Sequence, residues 1–239
     1  MESTSTPTET QPASLRHKWL WRPNLIVFVS SACIMILELV AGRIIAPYVG
    51  VSLYTWTSVI GVVLAGISLG NYLGGRLADR WAPPRLLGGI FLLGGLSSLG
   101  ILAVDVMDRL TALQRLTSSN LTLVVEIVGL TVLLFFVPCA ILGTISPVVA
   151  KLAVRDLAKT GSTVGKIYAA GSVGSIVGTF ATGFVLISWF GTHAIVWGVA
   201  LVLLILGLLF LLANRWPLLL LLLVTLGLEW IIRKRLAMA

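Results

Sequence analysis

The sequence predicts an all-α integral membrane protein, a polytopic bundle of six or seven transmembrane helices. Of its 239 residues, 58% are hydrophobic and 11% are charged, and the mean hydropathy is +1.04. A soluble domain of this length needs far more polar surface. A spanning helix needs roughly 20 mainly apolar residues, and the chain contains that length several times.

Three regions follow from this pattern. Residues 1–22 are predicted to be a disordered cytoplasmic tail, because the Ser-, Thr- and Pro-rich start cannot bury enough apolar surface to offset chain entropy. Residues 23–213 form a six-helix membrane domain, and residues 214–239 contain a seventh apolar segment and a basic tail. The six predicted spans cover residues 25–46, 53–77, 86–104, 121–149, 166–189 and 192–213.

Basic residues predict the orientation, with a cytoplasmic N-terminus in the cell (inner) membrane. In that orientation the inside loops carry eleven Lys and Arg residues and the outside loops two. A seventh crossing would place Arg233, Lys234 and Arg235 outside, against this rule. The net charge of +8 is explained by these loops, so the expected partner is the lipid bilayer, and nucleic-acid binding is not predicted.

Residues for metal, cofactor or catalytic chemistry form no pattern in the sequence. Cys33 and Cys139 fall inside apolar runs, where thiols usually serve packing, and His17 and His193 lie at segment ends without ligand spacing. We therefore predict no metal site, no cofactor and no enzymatic activity.

Small residues recur at four-residue spacing in the second and fifth spans. Four residues are about one helical turn, so each set forms a smooth stripe that lets another backbone approach closely. Spans one to three and spans four to six form two consecutive triplets, and these two helices are the second member of each. Because they run in opposite directions, we predict an inverted three-plus-three repeat. The stripes are Gly66, Gly70 and Gly74 in one helix, and Ala170, Gly174 and Gly178 in the other.

Glu38 lies near the middle of the first span. An ionised group there costs on the order of 3 kcal/mol on insertion scales, so we expect Glu38 to bind a cationic substrate or carry a proton. The alternative is a structural acid that accepts hydrogen bonds from Ser31 or Tyr48. Nearby aromatic residues could line a cavity or anchor the helices at the interface: Tyr54, Trp56 and Tyr72.

Arg43 and Glu126 lie at similar depth near the outer ends of the first and fourth spans. One interpretation is an ion pair between the first helices of the two triplets. The other is that Arg43 extends to the outer headgroups while Glu126 reaches interfacial water. The sequence does not decide between them.

The turn "GGRLADRWAPPRL" resembles the loop signature of the major facilitator superfamily. The match is carried by Gly75, Asp79, Arg80 and Arg85, while Ala82, Pro83 and Pro84 replace the usual Gly and basic pair. The resemblance implies that Asp79 accepts a hydrogen bond from Arg80 or Arg85 and that this loop helps control opening. The alternative is simple anchoring by positive charge on the cytoplasmic side.

A second resemblance covers spans one to five. Residues 37–80, "PCAILGTISPVVAKL" and "GKIYAAGSVGSIVGTFATGFVLI" are similar to the membrane region of the fused transporter/spermidine synthase family. That family joins a half-sized transporter-like domain to a soluble domain resembling aminopropyltransferases. No strand-rich region or Gly-rich nucleotide loop occurs here, so the resemblance is to the membrane half alone.

Two functions follow from these patterns. The first is a transporter-like protein linked to polyamine (spermidine) metabolism or transport, acting as a homodimer because six such helices make half a transporter. The alternative is a non-transporting membrane anchor for a separate, soluble aminopropyltransferase-like protein.

Overall fold

The computed structural model describes residues 13–80, 84–102, 120–154 and 157–212. Within these ranges the backbone is almost entirely helical and contains no strand. Two π-helical turns, Val132–Phe136 and Ala181–Leu186, join α4 to α5 and α7 to α8. The helices are α1 (Ala13–Val49), α2 (Leu53–Arg80), α3 (Pro84–Gly100), α4 (Asn120–Thr131), α5 (Val137–Gly143), α6 (Ile145–Ala153), α7 (Thr160–Phe180), α8 (Ile187–Trp189) and α9 (Thr192–Leu212).

Five helical stretches of the described chain are long and apolar enough to cross a membrane, which confirms the all-α, multi-pass class. The third predicted span, α3, is shorter: its 17 residues cover about 25 Å at 1.5 Å per residue. The seventh apolar segment lies outside the described residues. The five stretches are Pro23–Pro47, Leu53–Arg80, Ile127–Ala153 (the fourth span), Thr160–Trp189 (the fifth span) and Thr192–Leu211.

The N-terminal boundary differs from the predicted one. Residues 13–22, assigned above to a disordered tail, are the first ten residues of α1. Leu15, Trp19 and Trp21 make this stretch less polar than residues 1–12, and extending an existing helix costs far less than nucleating one. Residues 1–12 lie outside the described part.

The helices associate in three close pairs. α1 packs most extensively on α7, α2 on the fourth span, and α3 on α9. Large apolar side chains are fully buried where these pairs meet, among them Leu37, Phe91, Phe135, Ile145 and Leu203.

Glycines allow α2 to contact the fourth span through its backbone. A Cβ atom at Gly74 would lie 2.7 Å from the Thr144 carbonyl oxygen, and one at Gly70 would collide with the Ala140 carbonyl oxygen. Gly143 completes the contact from the other side, because a Cβ there would lie 2.9 Å from the Ile67 carbonyl oxygen. Any larger side chain at these positions would force the two helices apart.

The α1–α7 pair has the same kind of contact. A Cβ atom at Gly174 would collide with the Phe28 carbonyl oxygen, and one at Gly178 would lie 2.6 Å from the Ala32 carbonyl oxygen. A Cβ atom at Gly171, a glycine outside the predicted stripe, would lie 3.2 Å from the Ser31 hydroxyl oxygen.

The α3–α9 pair is also built on glycines. A Cβ atom at Gly88 would lie 2.9 Å from the Leu211 backbone nitrogen, and one at Gly207 would lie 2.8 Å from the Leu92 backbone nitrogen. Beside these contacts the rings of Phe91 and Phe210 stack, with centroids 5.9 Å apart and planes inclined by 6°.

The fourth and fifth spans are interrupted helices. A buried threonine donates its hydroxyl hydrogen to the carbonyl four residues earlier at each π-helical turn, just before the first turn and within the second: Thr131 to Ile127 and Thr182 to Gly178, both at 2.7 Å. Such bonds bend helices, and Pro138, just after the first turn, has no N–H to donate. The fourth span therefore departs from a straight helix where it faces the glycines of α2.

Candidate functional site

Glu38 is the acidic side chain that the fold places inside the membrane segment of α1. It lies 15 residues after Pro23 and nine before Pro47, which is about 22 Å and about 14 Å from the two ends of the span. Its Oε2 atom is buried and has no hydrogen-bond partner among the residues that the structure describes. Within the described side chains, Ser31 therefore does not satisfy this oxygen, and the Tyr48 side chain lies outside them.

The surroundings of Glu38 come from two other helices. The thiol of Cys139, in α5, is fully buried and lies within electrostatic range of the Glu38 carboxylate. The Cβ of Cys139 would lie 3.1 Å from a Cβ at Gly66, which sits in the middle of α2. Cys139 of the fourth span is thus near both Glu38 of α1 and Gly66 of α2.

Trp56 lies between this site and the end of the bundle where α1 and α2 join. Its indole atoms Cη2, Cζ3 and Cζ2 lie 3.3, 3.5 and 3.6 Å from the position of a Cβ at Gly42. Gly42 follows Glu38 by four residues, hence about one helical turn. Sequence reasoning named Trp56 but not Gly42, because an isolated glycine in a helix has no signal that identifies its neighbour.

At the opposite end of α2, Asp79 accepts a hydrogen bond from the Lys151 ammonium group of α6, at 3.1 Å. The resemblance implied Arg80 or Arg85 as the donor, whereas the donor that the structure describes is Lys151. Both arginines are exposed. The close contact of α2 with the fourth span brings Lys151 beside Asp79, across 72 positions of sequence.

Tyr72, predicted to line a cavity or to anchor its helix at the interface, contacts a cation of its own helix. Arg76 lies over the ring of Tyr72, with its Cζ 4.5 Å from the ring centroid. Tyr72 therefore binds a cation at the end of its helix, more than four turns along α2 from Trp56.

Arg43 and Glu126 are not resolved as a pair. Arg43 is exposed, and α1 does contact α4, but the Glu126 side chain lies outside the described side chains. Their ion pair stays a prediction.

Gly75 of the loop motif is not at a close contact in the described structure, because a Cβ there would meet nothing within 4 Å. Ala170 of the predicted stripe is half-buried. Glycines outside the predicted stripes also face backbone, among them Gly88, Gly143 and Gly207.

Metal-ligating side chains form no group of three or more in the part of the chain that the structure describes. No known protein family, curated protein or solved structure matches the chain. The chemical properties of the site therefore have to be inferred from Glu38 and the residues around it. A buried carboxylate oxygen without a donor can accept a hydrogen bond from a cationic N–H group, or it can bind a proton and become neutral.

Proposed function

We propose that the protein is a transporter-like protein of the cell membrane with a cytoplasmic N-terminus, built as an inverted three-plus-three repeat. Glu38 binds the transported cation or the coupled proton. The distribution of Lys and Arg among the loops supports the orientation.

The pairing of helices supports the repeat. Exchanging the two triplets converts the first span into the fourth, the second into the fifth and the third into the sixth. The contact of α1 with α7 then maps onto the contact of the fourth span with α2. The contact of α3 with α9 maps onto itself. These are the three most extensive pairs in the described structure.

Residue identities in the α3–α9 pair support the same exchange. Gly88 faces Leu211 as Gly207 faces Leu92, at nearly equal distances. A two-fold axis between the stacked phenyl rings would produce both contacts and the small angle between the rings. A shift of 119 positions carries three residues onto identical ones: Gly88, Phe91 and Leu92 onto Gly207, Phe210 and Leu211.

The other two helix pairs, α2 with the fourth span and α1 with α7, are also related by a constant shift in sequence. A shift of 104 positions carries Gly70 and Gly74 of α2 onto Gly174 and Gly178 of α7. Each of these glycines faces a backbone carbonyl group, and the facing residues are again four apart. Those residues are Ala140 and Thr144 in the fourth span, and Phe28 and Ala32 in α1.

The unpartnered Oε2 of Glu38 is the observation that carries the function. A charge near the centre of a membrane helix costs on the order of 3 kcal/mol, and leaving one of its oxygens without a donor adds to that cost. A transported ammonium group would donate the missing hydrogen bond, and a bound proton would remove the charge. The resemblance to the fused transporter/spermidine synthase family proposes a polyamine as that substrate.

Labelled spermidine uptake into proteoliposomes tests this function. We expect saturable uptake that depends on a proton gradient, that falls to the level of empty liposomes in Glu38→Gln, and that survives in part in Glu38→Asp. Absence of uptake of spermidine and of simpler amines under either gradient would contradict transport. Capture of a soluble aminopropyltransferase-like protein would then favour the anchor function.

Two copies would be needed to enclose a pathway, because six helices make half of such a transporter. α2 and α7 carry matching exposed residues on their outer faces: Gly61, Ala65 and Ser68 in α2, and Gly165, Ala169 and Ser172 in α7. Nothing lies within 4 Å of a Cβ at Gly61 or Gly165, so both faces can accept another helix closely.

Oxidative cross-linking in membranes checks this homodimer. Ala65→Cys and Ala169→Cys, separately and combined, are expected to give covalent dimers. Leu201→Cys, at a 57% exposed position of α9, is the control and is expected to stay monomeric. Equal cross-linking at all three positions would contradict a specific interface.

The Asp79–Lys151 pair offers a test of loop control. Because Lys151 and Asp79 are 55% and 72% exposed, Asp79→Asn and Lys151→Gln are expected to leave the unfolding midpoint unchanged. Each is expected to slow uptake, and the exchange Asp79→Lys with Lys151→Asp to restore it. A stronger effect of Arg85→Gln than of Lys151→Gln would instead favour the donor that the resemblance implied.

A further inference from the structure

We propose that Trp56 is a gate residue whose indole, seated on Gly42, closes Glu38 from the end of the bundle at which α1 and α2 join. The inference deepens the proposed function, because it assigns the control of access to the same acid. Trp56 controls the path to the site, whereas Glu38 binds the transported cation or the proton.

The contact of the indole with α1 requires glycine at position 42. A Cβ there would lie 3.3 Å from the indole Cη2, closer than ordinary van der Waals contact. The tip of the six-membered ring therefore occupies the space that a side chain of α1 would take. Because Gly42 and Glu38 are four residues apart, they share one face of α1, and the indole lies one turn from the acid.

The backbone beside Trp56 is fixed. The Thr55 hydroxyl donates to the Gly50 carbonyl at 2.9 Å, and the Thr55 N–H donates to the Ser52 hydroxyl oxygen at 3.2 Å. Gly50 has φ +81°, a left-handed conformation that glycine adopts readily. The start of α2 is thereby held in place, and movement is left to the Trp56 side chain.

The indole of Trp56 can also move away from Gly42. Trp56 is 40% exposed, although its ring tip contacts α1. A change of its side-chain rotamer would open the face of α1 above Glu38 without moving either helix. Rotamer changes of partly exposed side chains are fast compared with helix motions, which suits a gate.

Thiol labelling of Glu38→Cys tests the gate without relying on transport. A membrane-impermeant thiol reagent is applied to oriented vesicles from the side of the Gly50 turn and, separately, from the opposite side. Each variant is measured with and without Glu38→Cys, so that the slow reaction of the buried Cys33 and Cys139 is subtracted. Size-exclusion profiles establish that each variant is folded.

With Trp56→Ala we expect the labelling rate from the Gly50 side to rise by about tenfold or more, as for a gate that is mostly closed in the natural protein. Gly42→Ala and Trp56→Phe, which disturb the contact less, are expected to give smaller rises on the same side. Trp197→Ala, at a 58% exposed position of α9, is the control and should change nothing.

Unchanged labelling in Trp56→Ala and Gly42→Ala would overturn the gate, as would rapid labelling with Trp56 in place. A rise of equal size from both sides would also overturn it, since the contact lies on one side of Glu38 only. Failure of amine uptake together with the expected labelling would leave the gate supported and would contradict the transport of amines.

Discussion

Replacing Glu38 by methionine is expected to raise the thermal unfolding midpoint while abolishing uptake. The natural residue buries a carboxylate oxygen without a donor, and removing such a group recovers about 1–3 kcal/mol of desolvation cost. In a domain of this size, 1 kcal/mol corresponds to roughly 2–4 °C. Methionine fills a similar volume with no polar oxygen, and glutamine, which keeps a polar group there, should give a smaller rise.

Thermal unfolding in detergent, followed for the natural protein, Glu38→Met and Glu38→Gln, measures this effect. Ser30→Ala is the matched control on the same helix, because the Ser30 hydroxyl is buried but already donates to the Val27 carbonyl at 3.1 Å. It should not stabilise the protein. A clear fall of the midpoint in Glu38→Met would show that the acid has a structural partner, which is the alternative interpretation from the sequence.

Alanine at Gly70 or Gly174 is expected to cause the largest loss of stability among single-methyl changes in the described bundle. In both cases the new Cβ would collide with a backbone carbonyl oxygen, which cannot move aside as a side chain can. Overpacking of this kind costs about 1–3 kcal/mol or more, which outweighs the gain of up to about 1 kcal/mol when alanine replaces glycine in a helix.

The matched controls are Gly89→Ala in α3 and Gly198→Ala in α9, where within the described structure a Cβ meets nothing within 4 Å. Both should be neutral or slightly stabilising. Because Gly70 and Gly174 correspond in the proposed repeat, their alanine variants should lose similar amounts in the same unfolding assay. A loss at one position only would contradict equivalent helix pairs, and losses at the control positions would contradict the close-contact explanation.

Several helix boundaries could be predicted from the sequence because their causes are local. The Gly-containing turns before Leu53 and Thr192 begin α2 and α9 where predicted, and the apolar run of the fifth span ends at Trp189 as predicted. The first helix begins before its predicted membrane span, since apolar periodicity identifies the membrane segment and not the helical residues that precede it.

The candidate site could be predicted only in part. Glu38 is visible in the sequence because a charge within an apolar segment is unusual by itself. Its neighbours Cys139 and Trp56, and the partner of Asp79, depend on which helices pair. The resemblance implied Arg80 or Arg85 as the donor, both near Asp79 in sequence, whereas Lys151 is near it in space.

By itself the sequence determined the class of the protein, most of its spans and the acid inside the membrane, because hydrophobic length and isolated charge act within one helix. Only the tertiary structure decided that α1 pairs with α7, α2 with the fourth span and α3 with α9, since many glycine stripes are compatible with many partners. It also decided that Trp56 lies on Gly42 and that Glu38 Oε2 has no donor. These depend on the approach of backbones distant in sequence, which a one-dimensional pattern does not specify.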